Sequence, residues 1–483
     1  MSAKPPSQPP EQPRIGVDSW VASADERRSR SPGGRARDAY DRAPPVLKLL
    51  ALALPFAVFP LFIDSEYLMQ VGIDTLIFVL LALGLNVAVG WVGLLDLGYV
   101  AFFGIGAYLY AAVASEYAGR DWDASFAIPL IAVAVAVTGF LVGLPSRRLT
   151  GDYLAIVTLF FLQLWLVVLI NATFTRGPNG ISDIYPLSFF GRQVISLDAY
   201  YYVTLVAFVL IVSFLYLVNQ SRTGRAWRAL REDELAAELM TMPVNRLKLM
   251  GFAVGAGVAG IAGAIFAPVQ GAVFPAGFDL VLLITVYAMV VLGGAGSLVG
   301  VTVGAVLING SLEALRDADN ASWIFYGVVA IALLAMLRPW WQPVAVLGAT
   351  VAFGFVVHEL AEQVRPSLVG GASFGEARID GLVDSWVLLP QGIVTGDGLP
   401  SGAMGRLAYI GLVAAVLVLT LVRSRLWLLV GLVPVLYLAA CVWANLLVAQ
   451  AAVARFVLIG AMLVALMAFR PQGLFGKQRV EIV

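Results

Sequence analysis

The stretch Gly224-Arg225-Ala226-Trp227-Arg228-Ala229-Leu230-Arg231-Glu232-Asp233-Glu234-Leu235-Ala236-Ala237 lies between two long apolar runs. It is the centre of a polar, arginine-rich insert that covers residues 219–248. Strong helix formers, charges and a narrow apolar stripe predict a short amphipathic helix outside the bilayer. A membrane-protein loop rarely contains such a helix unless a partner binds it, so the insert is predicted to be a docking surface.

The composition around this insert is that of a membrane protein. Of 483 residues, 60% are apolar and 13% charged, and the mean hydropathy is +0.87. One or two soluble cores of this length do not bury that much apolar surface, so lipid must be part of the solvent. The fold class is predicted to be all-α, a polytopic transmembrane helical bundle with about 10–14 spans and glycine-rich discontinuous helices. The apolar runs lie at 46–63, 75–92, 97–114, 126–145, 153–170, 200–218, 249–267, 278–292, 298–312, 323–337, 344–360, 407–422, 426–448 and 456–469.

The basic residues indicate which side of the membrane each loop faces. Residues 1–45 are rich in proline, serine and arginine and are predicted to form a disordered cytoplasmic tail. Threading the spans from a cytoplasmic N-terminus puts the insert, Arg147-Arg148, Arg338 and the basic C-terminus on the cytoplasmic side, in agreement with the positive-inside rule. We therefore expect a multi-pass protein of the bacterial inner membrane with both termini in the cytoplasm.

Several kinds of chemistry are excluded by what the sequence lacks. With only Cys441 and His358, the chain has no disulfide framework, no thiolate or histidine metal cluster and no histidine-based triad. The nearest string to a phosphate-binding loop, Gly473 to Gln478, has the wrong spacing and the wrong last residue. The chain is predicted to be no enzyme, with no catalytic residues, no metal and no cofactor, and its balanced charge gives no indication of nucleic-acid binding.

Two glycine-rich segments interrupt the apolar runs and are candidates for the translocation path. The first, 85–108, contains Asp96, whose carboxylate at bilayer depth is costly unless it is paired, wet or at a turn. A turn or cap role is favoured over direct contact with a transported solute. The second, 292–300, occupies a comparable place later in the chain, and paired discontinuities often mark the binding site of a transporter. Close helix packing explains the glycines about as well. The candidate path residues are Asn86, Asp96, Tyr99, Gly293 and Gly294.

Few ionisable residues lie deep in the apolar runs. Asp74 and Asp96 are the main candidates, and both fall near predicted span ends. Ion-coupled carriers usually need buried carboxylates, so this scarcity counts against one. Energy is expected to enter through the insert.

The chain resembles the LivM-type inner-membrane permease subunits of branched-chain amino acid ABC transporters. The resemblance implies that this chain carries branched-chain or related small amino acids with two ATP-binding subunits, an H-type second permease subunit and an extracytoplasmic binding protein, in contact with membrane lipid. It rests on segments 84–108, 149–159, 177–181, 224–248, 290–297 and 470–474, which recur in the family's order.

In such permeases the cytoplasmic loop is similar to the "EAA" coupling element that seats on the ATPase. The resemblance assigns that role here to Gly224, Arg225, Arg228, Arg231, Glu234, Ala236 and Ala237. Ala226, Leu230, Ala237 and Met240 can share one face for packing, and the charged residues offer pairing. Thr241 stands where the family usually has glycine, and Pro243 ends the helix.

The resemblance also divides the chain. The permease core is predicted at 46–339, with the coupling loop 219–248; an extra membrane unit at 340–454, with an outer loop 362–406; and the last span and cytoplasmic C-terminus at 455–483. Three alternatives stay open: a urea or short-chain amide ABC permease, a stand-alone ion-coupled carrier or channel, and a membrane scaffold.

Overall fold

The structure is a computed structural model. It describes residues 44–447 apart from 64, 147–151, 317, 338, 340, 370–377, 391–400 and 422–423, and then 456–457, 460, 463–464 and 473–475. Nearly all of the predicted tail 1–45 and most of the predicted last span therefore lie outside the described residues.

The described chain is helical, and its strands are confined to two short hairpins. Nine of its helices are long and apolar enough to cross a membrane, and four shorter apolar helices accompany them, which confirms the predicted polytopic bundle. The first helices are α1 (Pro45–Val58), α2 (Glu66–Asn86), α3 (Tyr99–Val113), α4 (Ala124–Ser146), α5 (Asp152–Asn171), α6 (Leu197–Gln220), α7 (Arg222–Glu232), α8 (Glu234–Leu239), α9 (Val244–Gln270), α10 (Leu280–Gly293) and α11 (Leu298–Ala314). The later ones are α12 (Ala318–Met336), α13 (Trp341–Val364), α14 (Arg378–Asp384), α15 (Ser401–Leu421) and α16 (Arg425–Val442).

The centre of the bundle is α9, which packs against α2, α3 and α4. Glycines make this possible because they let backbones touch. A Cβ at Gly263 would lie 2.1 Å from the carbonyl oxygen of Phe103, and one at Gly106 would lie 2.4 Å from that of Gly260. Between helices in lipid, such close contact gives the dispersion energy that the hydrophobic effect does not supply.

The bundle has two ends, named here by the loops they carry. The loop face holds the turn 93–98, the segment 221–243 and the turn 294–297, and Arg231 of the segment lies against both turns. The hairpin face holds the hairpin β1–β2 (Ala114–Ser115 with Arg120–Asp121) and the hairpin β3–β4 (Ser188–Phe189 with Arg192–Gln193).

The glycine-containing loop 175–181 lies on the hairpin face. Arg176, Gly177 and Gly180 all have positive φ, and Ile181 bridges to Val273. The loop is thus tied to the segment that comes after α9.

The later helices form apolar clusters of their own. Val387, Ala408 and Cys441 belong to one cluster, and Leu333 packs with Val346 in another. Helix α12 takes part in these clusters, since its Ala321 packs against Trp443 beyond α16. The domain boundary at 339/340 stays a prediction.

One span boundary was wrong. The run predicted from residue 75 begins at Glu66, so Asp74 lies inside α2 and not near its end. Its Oδ1 accepts a hydrogen bond from Gln270 at 3.2 Å.

Candidate functional site

The central part of the insert forms two helices where the sequence predicts one. The side chain of Ser221 caps α7 by accepting from Gly224 N at 3.3 Å. Asp233 has an extended backbone and caps α8 by accepting from Ala236 N at 3.0 Å. The prediction of a single helix over 224–237 was therefore wrong, because aspartate is a better N-cap than helix interior.

The inner face of this two-helix loop packs on its own chain. Gly224, Trp227, Leu230 and Ala237 are buried there. The Trp227 indole donates to Leu247 O at 2.9 Å and stacks on Trp91 with ring centroids 6.3 Å apart. The predicted partner face is corrected at two positions, because Leu230 and Ala237 already serve the bundle.

The outer face carries a different apolar set. Leu235 is 72% exposed, Leu239 84% and Met240 73%. We call these three residues the α8 patch. Large apolar side chains this exposed outside a span mark an interaction surface.

The charged residues of the loop also divide into an exposed group and a group that is bonded to the rest of the bundle. Arg225 and Arg228 are exposed, and each donates to a backbone carbonyl near the end of α6. Glu234 accepts from the ammonium of Lys248, a side chain that is 3% exposed, at 2.5 Å. Arg231 contacts Gly90 O. Arg231 and Glu234 therefore have partners within the chain, while Ala236 is exposed beside the α8 patch.

Beneath the loop lies the first glycine-rich interruption. After α2 the chain continues as a π-helix, Val87–Val92, and ends at Gly93 with φ +82°. Asn86 is fully buried, and its Oδ1 accepts from Gly296 N at 2.7 Å. The Trp91 indole donates to Gly296 O at 3.2 Å. The two predicted interruptions therefore meet in space.

The second interruption is a tight crossing of α10 and α11. A Cβ at Gly293 would lie 2.2 Å from Gly300 O. The segment Gly473–Phe475, which we call the C-terminal strap, covers this crossing. Leu474 N donates to Leu292 O at 2.9 Å and Phe475 N to Gly293 O at 3.0 Å. The strap thus satisfies carbonyls that the end of α10 leaves open.

Asp96 and Tyr99 fill structural positions. Asp96 is buried, and its Oδ1 accepts from Gly98 N at 2.9 Å, as the favoured turn role requires. Tyr99 is buried between α2 and α9 and donates to Leu81 O at 2.9 Å. The five candidate path residues are all buried: Asn86, Asp96, Tyr99, Gly293 and Gly294. Their role in translocation stays a prediction.

Sequence reasoning missed three features of this site. The Trp91–Trp227 stack joins residues far apart in the chain, and nothing in the sequence pairs them. Lys248 was taken only as the end of the insert. The exposure of Leu235 and Leu239 was not predicted, because helical spacing alone does not show which face of a helix a neighbouring span covers.

The fold and the site define a class: an all-helical membrane permease with an extramembrane two-helix loop seated on the junction of its interrupted helices. The chain belongs to the family of branched-chain amino acid transport system permease components, whose family model matches residues 67–357. Membership confirms the predicted LivM-type resemblance and the predictions of a permease and of a protein that is not an enzyme.

Named relatives agree with this assignment. The chain is 38% identical to the high-affinity branched-chain amino acid transport system permease protein LivM of Escherichia coli strain K12, over 63% of this chain and 74% of that protein. It is 28% identical to a probable LivM of Methanocaldococcus jannaschii, over 52% and 79%. It is 26% identical to LivH of Escherichia coli strain K12, over 54% and 88%. No solved structure matches the chain.

Proposed function

We propose that this chain is one of two membrane-spanning subunits of an ABC importer for branched-chain amino acids. Its partners are two ATP-binding subunits, an H-type permease subunit and an extracytoplasmic binding protein. The names of the LivM and LivH relatives support the substrate class and the second permease. Partner ATP hydrolysis drives a change in which side of the translocation path is open.

The α8 patch carries the proposal. Three large apolar side chains project from a charged loop that is itself anchored by Trp227 and by the Glu234–Lys248 pair. An anchored loop transmits force, and a loop that exposes both an apolar set and the charges of Arg225 and Arg228 fits an apolar groove with acidic edges on a protein partner. The occupant we assign is the ATP-binding subunit, since the loop face is the basic and hence cytoplasmic side.

A pair of matched variants tests the docking role. Leu239→Asp places a charge in the α8 patch, while Ile195→Asp places one at a residue that is 79% exposed on the hairpin face. Leu239→Asp is expected to weaken co-purification of the ATP-binding subunits by about tenfold or more, as for a central interface residue. Ile195→Asp leaves it unchanged. Equal co-purification of both variants contradicts the docking assignment.

Uptake by the assembled transporter tests the substrate class. Proteoliposomes with all four membrane and ATP-binding subunits, supplied with the binding protein, are expected to take up leucine, isoleucine or valine only with internal ATP. Acetamide and urea are the comparison solutes. If acetamide or urea is taken up and the three amino acids are not, the protein is an amide permease. If the purified chain takes up solute without nucleotide, the protein is a stand-alone carrier.

A further inference from the structure

Arg231 joins the two-helix loop to both interrupted helices. Its Nη1 donates to Gly90 O in the π-helix and, at 3.4 Å, to Ala295 O in the turn between α10 and α11. One guanidinium at the end of α7 therefore touches two interruptions that lie about 200 residues apart in sequence.

Electrostatics hold the guanidinium there. Gly90 O lies near the end of the π-helix and Ala295 O just after α10, so both belong to the negative ends of helix dipoles. The Nη1 group carries two N–H bonds, so this one nitrogen of the always-charged guanidinium donates to both carbonyls. The site is half-buried, where such bonds are stronger than in water.

The fit around Arg231 leaves little freedom. A Cβ at Gly93 would lie 3.0 Å from Arg231 Cγ, and one at Gly296 would lie 2.7 Å from Nη1. Both glycines have positive φ. Movement of α7 therefore has to move Gly93 and Gly296 with it or break these contacts.

The element beneath Arg231 is an irregular helix. A π-helix is rare and is most often a single-turn irregularity at a functional position. At its start, Asn86 Nδ2 is buried without a hydrogen-bond partner among the described residues, although Asn86 Oδ1 is bonded to Gly296.

We infer that Arg231 is the positioning residue that carries movement of the two-helix loop to the π-helix and to the turn 294–297. The inference rests on the proposed function, since the movement comes from the ATP-binding subunits on the α8 patch. Docking and transmission are thereby assigned to different residues of one loop. Leu235, Leu239 and Met240 bind the ATP-binding subunit, and Arg231 transmits the movement of the loop to the π-helix and the turn 294–297.

The test uses the whole transporter in proteoliposomes with Arg231→Gln, Arg231→Lys and the control Arg222→Gln, an exposed arginine of the same helix. Co-purification of the ATP-binding subunits, ATP hydrolysis and ATP-driven leucine uptake are measured on each. Arg231→Gln is expected to keep association and hydrolysis within about twofold and to lower uptake about tenfold, so that hydrolysis is uncoupled from transport. Arg231→Lys, which keeps the cation, retains intermediate uptake.

Two results overturn the inference. Uptake by Arg231→Gln within about twofold of the unchanged transporter shows that the contact transmits nothing. Loss of association by both Arg231 variants, with Arg222→Gln unaffected, makes Arg231 a docking or folding residue. Uptake by the unchanged transporter is measured in the same preparation, so failure of the proposed function is seen separately.

Discussion

At the scale of single residues, Thr241 shows how a departure from a family pattern acts. It has φ +59° and comes after α8 at the position where a helix usually ends in a left-handed glycine. Met242 N donates to Ala237 O at 3.1 Å and Thr241 N to Glu238 O at 2.9 Å, so the capping motif forms although the residue is unsuited to it.

Thr241→Gly is therefore expected to stabilise the loop. A non-glycine residue in the left-handed region costs about 1–2 kcal/mol, which glycine avoids. The larger entropy of glycine in the unfolded chain lowers the stability by about 0.5–1 kcal/mol. The net gain is about 0.5–1 kcal/mol, which hydrogen exchange of residues 234–243 measures as slower exchange. Thr223→Gly, within α7, is the control and should have the opposite sign; faster exchange in both variants contradicts the strain argument.

The Glu234–Lys248 pair gives a second residue-scale prediction. Removing the carboxylate leaves the ammonium of Lys248, whose side chain is 3% exposed, without its partner. Breaking a fully buried pair costs about 3–5 kcal/mol, and because Glu234 is 39% exposed we expect about 1–2 kcal/mol here. Glu234→Gln should therefore weaken ATPase association indirectly, by loosening the loop.

The double variant Glu234→Gln/Lys248→Met separates this effect from direct docking. It removes both charges, and co-purification of the ATP-binding subunits should return to within about twofold of normal. If association stays lost in the double variant, Glu234 contacts the ATP-binding subunit, as the sequence alone suggested.

At the scale of elements, the sequence predicted most of what composition and periodicity can show. Apolar runs located the long helices, and glycines at Gly90 and Gly93 signalled an interrupted helix. The interruption takes the form of a π-helix, in which Gly90 lies against Gly296. These two glycines are 206 residues apart in the sequence, so no local sequence pattern predicts their contact. The break at Asp233 was missed because helix formers surround a residue that also caps well.

The C-terminal strap is a second element whose place depends on a distant contact. Gly473 has φ +75°, and a Cβ there would lie 2.5 Å from Val291 O. Because backbone cannot give way, Gly473→Ala should release the strap and raise the rate of limited tryptic cleavage at the C-terminus about tenfold.

Gly310→Ala is the matched control for the strap. Its added Cβ meets nothing within 4 Å, and the position lies inside α11, where alanine is the better helix former. Its cleavage rate should be unchanged. Equal cleavage of the two variants shows that the strap is held by something other than the fit at Gly473.

At the scale of the whole molecule, the directions of the helices decide which residues make up the extra membrane unit. Helix α11 ends on the hairpin face, while the strap lies on the loop face against Leu292 and Gly293. Helices α12, α13, α15 and α16 alternate in direction between them. Ala321 meets Trp443 at one end and Leu333 meets Val346 at the other, and Ala408 near the start of α15 belongs to one cluster with Cys441 near the end of α16. These four described helices, an even number, therefore lie between α11 and the predicted last span, 456–469.

This parity predicts which deletion the transporter tolerates. Removing 340–454, the unit suggested by the sequence, takes out three crossings and sends the strap to the wrong side of the membrane. Removing 318–454 takes out four and returns Gly473–Phe475 to the α10–α11 crossing. We expect the longer deletion to keep measurable leucine uptake and the shorter one to abolish it, with a C-terminal cysteine label reporting the side of the strap in each. Sequence resemblance placed α12 in the permease core, and the family model also spans it. Resemblance alone does not show in which direction α12 crosses the membrane relative to the predicted last span. Uptake by the shorter deletion alone contradicts the parity argument and restores the boundary at 339/340.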